Sequence, residues 1–178
     1  MTTQRQLIKN NNDYARGIRR EAVVIAALRE RGWEVREATR QENMKEDIDA
    51  IRTMRLPQGV VELPISIKSV SPHTFRKSGS ILFEIEVLDR YSMRWYPSWF
   101  LSGKARAYIV DVGEEHLYYI SKPKLEQYVK AHGWQRTTQN TPDTVTKQYV
   151  SGHSHLDAYS GLLKLSTMVK EGIAFPMG

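Results

Sequence analysis

The stretch Glu46–Ile51, with the sequence EDIDAI, and the stretch Pro64–Ser69, with the sequence PISIKS, decide how this chain folds. As strands, both alternate: Asp47 and Asp49 share one face of the first, and Lys68 shares a face of the second with the serine two residues before it. If the strands pair as a hairpin, carboxylates and a lysine meet on one surface, and isoleucines on the other face a core. Such carboxylates cost free energy unless a cation meets them. The alternative is an ordinary amphipathic hairpin with solvated charges.

The bulk composition predicts one domain with a basic surface. The chain has 178 residues, of which 40% are apolar, with a formal net charge of +6 and no cysteine. This is enough apolar content for a core, and no apolar run approaches the ~20 residues of a membrane helix. The absence of cysteine excludes disulfides and thiolate zinc sites. The first residues lack the apolar core of a signal peptide, so we expect a cytoplasmic protein. The basic balance favours a polyanionic partner, nucleic acid first.

An amphipathic helix is predicted before the first of these strands. Asp13 would cap it, and Gly32 would end it. Its stripe at spacings of four and three contains a carboxylate, Glu21, among apolar and aromatic residues. The stripe consists of Tyr14, Ile18, Glu21, Ile25 and Leu28. Glu21 therefore faces the core, unless it pairs with an arginine or the stripe is rotated so that Ala22 takes its place.

The rest of the pattern predicts an α/β fold with a central mixed β-sheet of about five strands flanked by helices. We expect loops at 39–45, 71–79 and 89–104, and a break or bulge at Pro64, because proline cannot donate to a ladder. The expected core spans residues 13–133, and 134–178 form a C-terminal extension with a helix. Strands are predicted at 33–38, 47–51, 60–70, 80–88, 105–112, 116–120 and 144–150, and later helices at 122–132 and 156–170.

Aromatic and basic side chains interleave in residues 89–104. In a nucleic-acid-binding protein they would stack on bases and hold phosphates, whereas in an ordinary loop the rings would pack over the sheet. They are Tyr91, Trp95, Tyr96, Trp99 and Phe100, with Arg90, Arg94 and Lys104. Further along, His153 and His155 form an H-x-H pair. Such a pair can bind a metal, but two histidines alone also fit a loop or helix-cap role.

The order of these elements resembles the PD-(D/E)XK nuclease superfamily, which includes restriction endonucleases and archaeal-type Holliday-junction resolvases. The resemblance covers residues 15–70 and rests on order and spacing more than on identity. More loosely, residues 103–108 (GKARAY) resemble small phage-type members. The matching residues are Glu21-Ala22-Val23-Val24 with Leu28, Gly32 and Trp33, then Asp47-Ile48-Asp49-Ala50, then Ser66-Ile67-Lys68.

The resemblance implies a Mg²⁺-dependent DNA endonuclease, with Mn²⁺ as a possible substitute, that hydrolyses phosphodiester bonds. In such enzymes Asp49 would bind the metal, Lys68 would position or activate the attacking water, and Glu21 would contribute to the metal site. Asp47 competes for the aspartate position, because it fits a D-x-x-A pattern whereas the I-D-A pattern favours Asp49. Nucleases of this type commonly dimerise, so a homodimer is expected.

One position departs from the superfamily pattern. Ser66 stands where a glutamate, an aspartate or sometimes a glutamine is expected, and a neutral hydroxyl is a weak magnesium ligand. The missing carboxylate would have to come from Glu84 or Glu86 on a later strand, or from Glu62. Ile67, which follows Ser66, is the remaining predicted metal-binding position. Without a replacement carboxylate, the fold would serve nucleic-acid binding alone.

Overall fold

Two β-sheets organise the part of the chain that the computed structural model describes, which is residues 19–89, 91–113, 116–132, 135–136, 144–148 and 156–178. The first has the order β1-β2-β3-β6-β7-β11, and the second has the order β5-β4-β10-β9-β8. The strands are β1 Glu34–Glu37, β2 Ala50–Leu56, β3 Gly59–Ser69, β4 Ser80–Asp89, β5 Arg94–Pro97, β6 Ala107–Asp111, β7 Leu117–Ser121, β8 Gln135–Arg136, β9 Thr144–Gln148, β10 Leu156–Lys164 and β11 Ala174–Met177. The helices are α1 over the described residues 19–30, α2 Arg40–Glu46, α3 Pro72–Ser78, α4 Trp99–Ser102, α5 Lys122–His132 and α6 Leu165–Lys170.

The first sheet confirms the predicted mixed α/β class. Within the described residues it has six strands, where about five were predicted. β3 and β6 are parallel, and the other neighbouring pairs are antiparallel. Helices flank this sheet. None of the described helices is long and apolar enough to cross a bilayer.

Helix α1 packs on the first sheet through the predicted seam. Leu28 is fully buried and shares a core with Ile65 and Ile67 of β3. Glu21 is half-buried on the same stripe, while Ala22 is exposed, so the rotated alternative is wrong. Gly32 follows the helix with φ 78°, the left-handed conformation that ends helices. Tyr14 and Ile18 lie outside the described residues.

Leu28→Ala is expected to lower the free energy of unfolding by about 2–5 kcal/mol. The side chain is fully buried between α1 and the first sheet, and its removal leaves a cavity that the two elements cannot close. Urea-induced unfolding measures the effect. Val23→Ala on the same helix is the matched control, because Val23 is 60% exposed, and it should change stability by less than about 0.5 kcal/mol. Equal losses in the two variants would contradict this packing.

A second core fills the space between the two sheets. Phe83 of β4 and Tyr108 of β6 are both fully buried there, with Leu125 of α5 and Met168 of α6. Phe83 also packs its ring against Trp99 and Phe100 of α4, as well as Tyr108. The aromatic residues of 89–104 therefore divide: those of α4 pack inward, and those before it remain at the surface.

Residues 39–47 form a helix and its cap, where a loop leading into a strand was predicted. Thr39 and Glu42 make a reciprocal capping box at the start of α2. Asp47 caps its C-terminus with φ 52°, so it does not lie on a strand, and β2 begins only at Ala50. Helix α2 has no buried residue, which is why hydrophobic periodicity gave no sign of it.

The predicted interruption at Pro64 is wrong. β3 pairs with β2 in continuous register from Gly59 to Ile65, with Pro64 opposite Ile51. The Pro64 carbonyl accepts from the Arg106 N–H at 2.9 Å, on the side away from β2. Because the N and O atoms of a strand residue point the same way, the missing N–H also lies on that side, and the ladder to β2 loses nothing.

Two further predictions are corrected. Residues 72–78 form helix α3 in the predicted loop 71–79, with Pro72 in its first turn. Residues 156–164 form strand β10 where a helix was predicted, and only 165–170 are helical. The predicted C-terminal extension thus supplies β10 to the second sheet and β11 to the first. His153 and His155, together with Arg90, lie outside the described residues.

Candidate functional site

The site forms where β2 and β3 meet the end of α2. Asp49, just before β2, pairs its N–H with the Ile65 carbonyl at 2.9 Å, which fixes the residue against β3. Three donors hold its carboxylate: the Asn43 amide at 2.7 Å, the Ser66 hydroxyl at 3.1 Å and the Ile67 N–H at 2.6 Å. Donors from helix α2 and from strand β3 together fix the orientation of the Asp49 carboxylate. Hydrogen bonds of this kind orient ligand side chains in metal sites.

Lys68 lies beside this carboxylate and pairs with Asp47. Its Nζ donates to the two Asp47 carboxylate oxygens at 2.9 and 3.2 Å. The ammonium also lies 4.4 Å from the centroid of the Trp99 ring, within cation–π range. Both charged side chains are about one-quarter exposed (25% and 27%), so the pair is open to a ligand.

Gly103 permits the close approach of Asp47 to the loop after α4. A Cβ at position 103 would stand 2.4 Å from the Trp99 carbonyl oxygen and 3.1 Å from the Asp47 Cβ. Any larger residue would push this loop away from Asp47. Lys122 holds the same loop from behind: its Nζ donates to the Gly103 carbonyl at 2.5 Å.

Glu21 completes the acidic side of the site. Burial raises the pKa of its carboxyl, and the charges of Asp49 and Asp47 raise it further, while Lys68 lowers it. These four groups come from α1, the residues around β2, and β3. The predicted set of Glu21, Asp47, Asp49 and Lys68 is therefore brought within mutual electrostatic range.

The pKa of the Asp49 carboxyl is raised for the same reasons as that of Glu21. Burial raises the pKa of its carboxyl, and the nearby Asp47 adds to this; the Ile67 N–H, Lys68 and the Ser66 hydroxyl oppose it. Three carboxylates thus lie within electrostatic range of the Lys68 ammonium. A site with surplus negative charge in a half-buried setting favours the binding of a further cation.

Other predicted residues lie elsewhere or serve differently. Ser66 is completely buried and orients Asp49, and Ile67 contributes its N–H to Asp49 while its side chain packs under α1. Glu84 lies on β4 of the second sheet, where it accepts from the Ser98 hydroxyl, and it is not among the charges that shift the pKa of Glu21 or Asp49. Glu62 is 4.0 Å from Arg36.

Sequence reasoning missed several contributors. Asn43 and Lys122 carry no motif, and only the fold brings them to Asp49 and to Gly103. Lys122 is buried, which lowers the pKa of its ammonium, although Glu126 at 3.8 Å and Asp47 act in the opposite direction. Tyr108, opposite Ser66 on β6, is also buried; its hydroxyl has no hydrogen-bond partner, and burial and Asp47 raise its pKa.

The donor set fits a hard divalent cation of the magnesium type. In the part of the chain that is described, no group of three or more histidine, cysteine, aspartate or glutamate side chains is arranged to hold a metal. Mg²⁺ does not require one, because it is commonly bound by one or two carboxylates and keeps several waters or substrate phosphate oxygens. Asp49 and Asp47 are carboxylates of the type that could serve as such ligands, and both also accept hydrogen bonds from protein donors.

Comparison of the chain with protein-family models, with curated proteins and with solved structures finds no match.

The raised pKa of Asp49 predicts a pH-dependent stability difference. The folded carboxyl holds its proton to higher pH than the unfolded one, so its stabilising contribution is complete below the ordinary value of 3.8 and is lost as the pH rises through the raised pKa. Asp49→Asn removes that loss. We expect the variant to exceed the wild type in unfolding free energy by a margin that grows from acid to neutral pH, each unit of pKa difference contributing about 1.4 kcal/mol.

Urea unfolding at a series of pH values, without divalent metal, measures this margin. Glu37→Gln is the control for loss of a carboxylate at the surface, because the Glu37 side chain is 68% exposed, and it should change stability by less than about 0.5 kcal/mol. A margin for Asp49→Asn that stays constant or shrinks toward neutral pH would contradict the burial of this charge.

Proposed function

We propose that this protein is a metal-dependent DNA endonuclease with a restriction-endonuclease-like fold of the PD-(D/E)XK type. The observation that carries the proposal is that Glu21, Asp47 and Asp49 lie within electrostatic range of Lys68, whose Nζ is 2.9 Å from Asp47. Hydrolysis of a phosphodiester needs an oriented water and neutralisation of the charge that develops on the phosphate. A carboxylate cluster with one lysine beside it suits both needs, and the net charge of +6 suits a DNA substrate.

In this proposal Asp49 and Asp47 hold Mg²⁺ or Mn²⁺, with Glu21 contributing directly or through water. When bound, such a cation lowers the pKa of water and neutralises developing phosphate charge. Asn43, Ser66 and the Ile67 N–H keep the Asp49 carboxylate in one orientation. This fixed orientation matters because a misplaced ligand costs much of the rate.

Lys68 supplies the protein's own positive charge. Asp47 and the face of Trp99 hold its ammonium at the partly exposed edge of the site. From there it can donate to a phosphate oxygen or to the attacking water. Lys122 and Gly103 support the Lys68–Asp47 pair indirectly, because they set the position of the loop that contacts Asp47.

Asp47 also supplies a carboxylate in place of the one that Ser66 lacks. Ser66 is neutral and buried, and Glu84 is engaged on the second sheet. Asp47, from the cap of α2, bonds to Lys68 at 2.9 Å and, in this proposal, takes the place of the missing anion. Glu84 is therefore not part of the proposed metal site.

A catalytically silent nucleic-acid-binding module is the second candidate. The observation that favours it is Ser66, since a buried hydroxyl already bonded to Asp49 adds no charge to a metal site. The two functions share the basic surface and differ only in hydrolysis. A homodimer, which would allow both strands to be cut, stays a prediction.

The test is incubation of the purified protein with supercoiled, linear and branched DNA in Mg²⁺, in Mn²⁺ and in EDTA. Nicking or linearisation that requires the metal, and that disappears in Asp49→Asn, supports the endonuclease. Salt-sensitive DNA binding without cleavage of any substrate in either metal supports the binding module instead. If the protein neither cleaves nor binds any of these DNA substrates, both candidate functions are refuted.

A further inference from the structure

We propose that residues 91–97, which comprise strand β5 and the turn before it, bind an unpaired nucleic-acid strand beside the candidate site. The inference rests on the proposed function, because it names the substrate class of that site: a nucleic acid with a single-stranded segment. The segment has the sequence YSMRWYP and is called the β5 segment below.

The β5 segment exposes aromatic rings. All seven of its residues are exposed, and Tyr91, Trp95 and Tyr96 are 85%, 42% and 44% accessible. Trp95 and Tyr96 are successive residues of β5 and extend to opposite faces of the strand, so each presents its own exposed ring. Base faces stack on such rings with little regard to sequence, and an aromatic contact of this kind is a main determinant of single-strand binding.

The charge of the segment suits a phosphate backbone. Arg94 is exposed and shares a face of β5 with Tyr96; the segment itself has no acidic residue, and Asp89 of β4 stands opposite Arg94. A guanidinium beside aromatic rings provides a phosphate contact next to the stacking surface. In a duplex the base faces are hidden by stacking, so only an unpaired strand offers both groups at once.

Although β5 lies at an edge of the second sheet, its features do not favour pairing with a strand of another protein chain. In the described part of the second sheet, β5 pairs only with β4. It is four residues long and ends at Pro97, which cannot donate a hydrogen bond. Short strands and proline are the devices by which sheet edges avoid pairing with another chain.

The segment leads directly into the candidate site. Tyr96 is three residues before Trp99, whose ring lies 4.4 Å from the Lys68 Nζ. Three residues span at most about 11 Å, which corresponds to about three nucleotides at 3.4 Å each along a strand. The Ser98 N–H anchors the junction to the Ile85 carbonyl at 2.7 Å. A strand stacked on the β5 segment therefore passes close to Lys68.

The experiment is a fluorescence-anisotropy titration of the whole protein with a labelled single-stranded oligonucleotide and with the duplex of the same sequence. EDTA is present, so hydrolysis plays no part. The variants are Trp95→Leu and Tyr96→Leu, with Trp95→Phe and Tyr96→Phe as controls that keep a ring. Circular dichroism and thermal unfolding of each variant establish that the fold is retained.

The wild type should bind the single strand more tightly than the duplex. The leucine variants should bind it about 5- to 150-fold more weakly, and the phenylalanine variants within about threefold of the wild type. Arg94→Gln should also weaken binding and reduce the slope of log K against log salt concentration by about 0.7.

Unchanged single-strand binding in folded leucine variants would overturn the inference, as would wild-type binding of duplex at least as tight as that of the single strand. Variants that alter self-association in sedimentation but not DNA binding would assign the β5 segment to a protein contact, which overturns it too. Single-strand binding that depends on these rings, without cleavage in the metal assay, would support this inference while the proposed endonuclease fails. If the leucine variants still cleave DNA and still bind the single strand as tightly as the wild type, the proposed endonuclease is supported and this inference is overturned.

Discussion

Lys68→Met is expected to reduce DNA cleavage by at least about 100-fold. The Lys68 ammonium bonds to Asp47 and lies within electrostatic range of Glu21 and Asp49, and removal of one preorganised donor from developing negative charge costs about 10²–10³ in rate. Methionine has nearly the length of lysine and preserves the packing on Trp99, so the fold should survive. Initial rates of plasmid nicking in saturating Mg²⁺ measure the effect.

Lys104→Met is the matched control for Lys68→Met. Lys104 lies on the loop that contacts Asp47, but its side chain is 66% exposed and pairs with Glu46 at 2.8 Å, away from Asp49. Its loss should change cleavage by less than about threefold, since exposed ion pairs contribute little. Cleavage by a folded Lys68→Met protein within tenfold of the wild type would show that Lys68 has no part in hydrolysis.

Asp49→Asn is expected to abolish both metal-dependent cleavage and stabilisation by metal. A ligand that binds only the folded state stabilises it by RT ln(1 + [L]/Kd), or about 2.7 kcal/mol at a hundredfold excess over Kd. The wild type should therefore melt at higher temperature as Mg²⁺ or Mn²⁺ is added. Asparagine keeps the shape of Asp49 but not its charge, so the variant should show no such rise. Differential scanning calorimetry with and without the metal measures this.

Two variants make the assignment of the metal site specific. Asp47→Asn should also reduce the stabilisation by metal, because Asp47 is the proposed second carboxylate. Glu84→Gln should leave it unchanged, because Glu84 is bonded to Ser98 on the second sheet. If Glu84→Gln loses the stabilisation by metal and Asp47→Asn does not, then Glu84, as expected from the sequence, and not Asp47 is the second carboxylate of the metal site.

The elements that follow local periodicity were predictable from the sequence. The stripe through Glu21 and Leu28 predicted α1 and its orientation, and the alternation in 80–88 predicted β4. These elements bury one face, and burial leaves a period in the sequence. The candidate site residues Glu21, Asp47, Asp49 and Lys68 were taken from the resemblance to the PD-(D/E)XK superfamily and from the charges in these patterns, and Asp47 lies in the cap of α2 and not on the predicted strand.

The elements that bury little, or whose partners are distant, were not predictable in this way. Helix α2 has no apolar face, and only the capping pair Thr39 and Glu42 marks its start. Strand β10 has leucines at spacings that also suit a helix. It pairs with β4 on one side and β9 on the other, and that pairing overrides the local preference.

The sequence by itself determined the mixed α/β class, the β2–β3 hairpin and the presence of carboxylates and a lysine upon it, because these depend on alternation within short segments. Only the tertiary structure decided how these charges meet. Asp47 lies in the cap of α2, and Asn43 and Ser66 orient Asp49. Trp99 of α4 and Gly103 after it come from some fifty residues away in sequence. Such contacts depend on packing between distant segments, and a pattern within one segment carries no record of them.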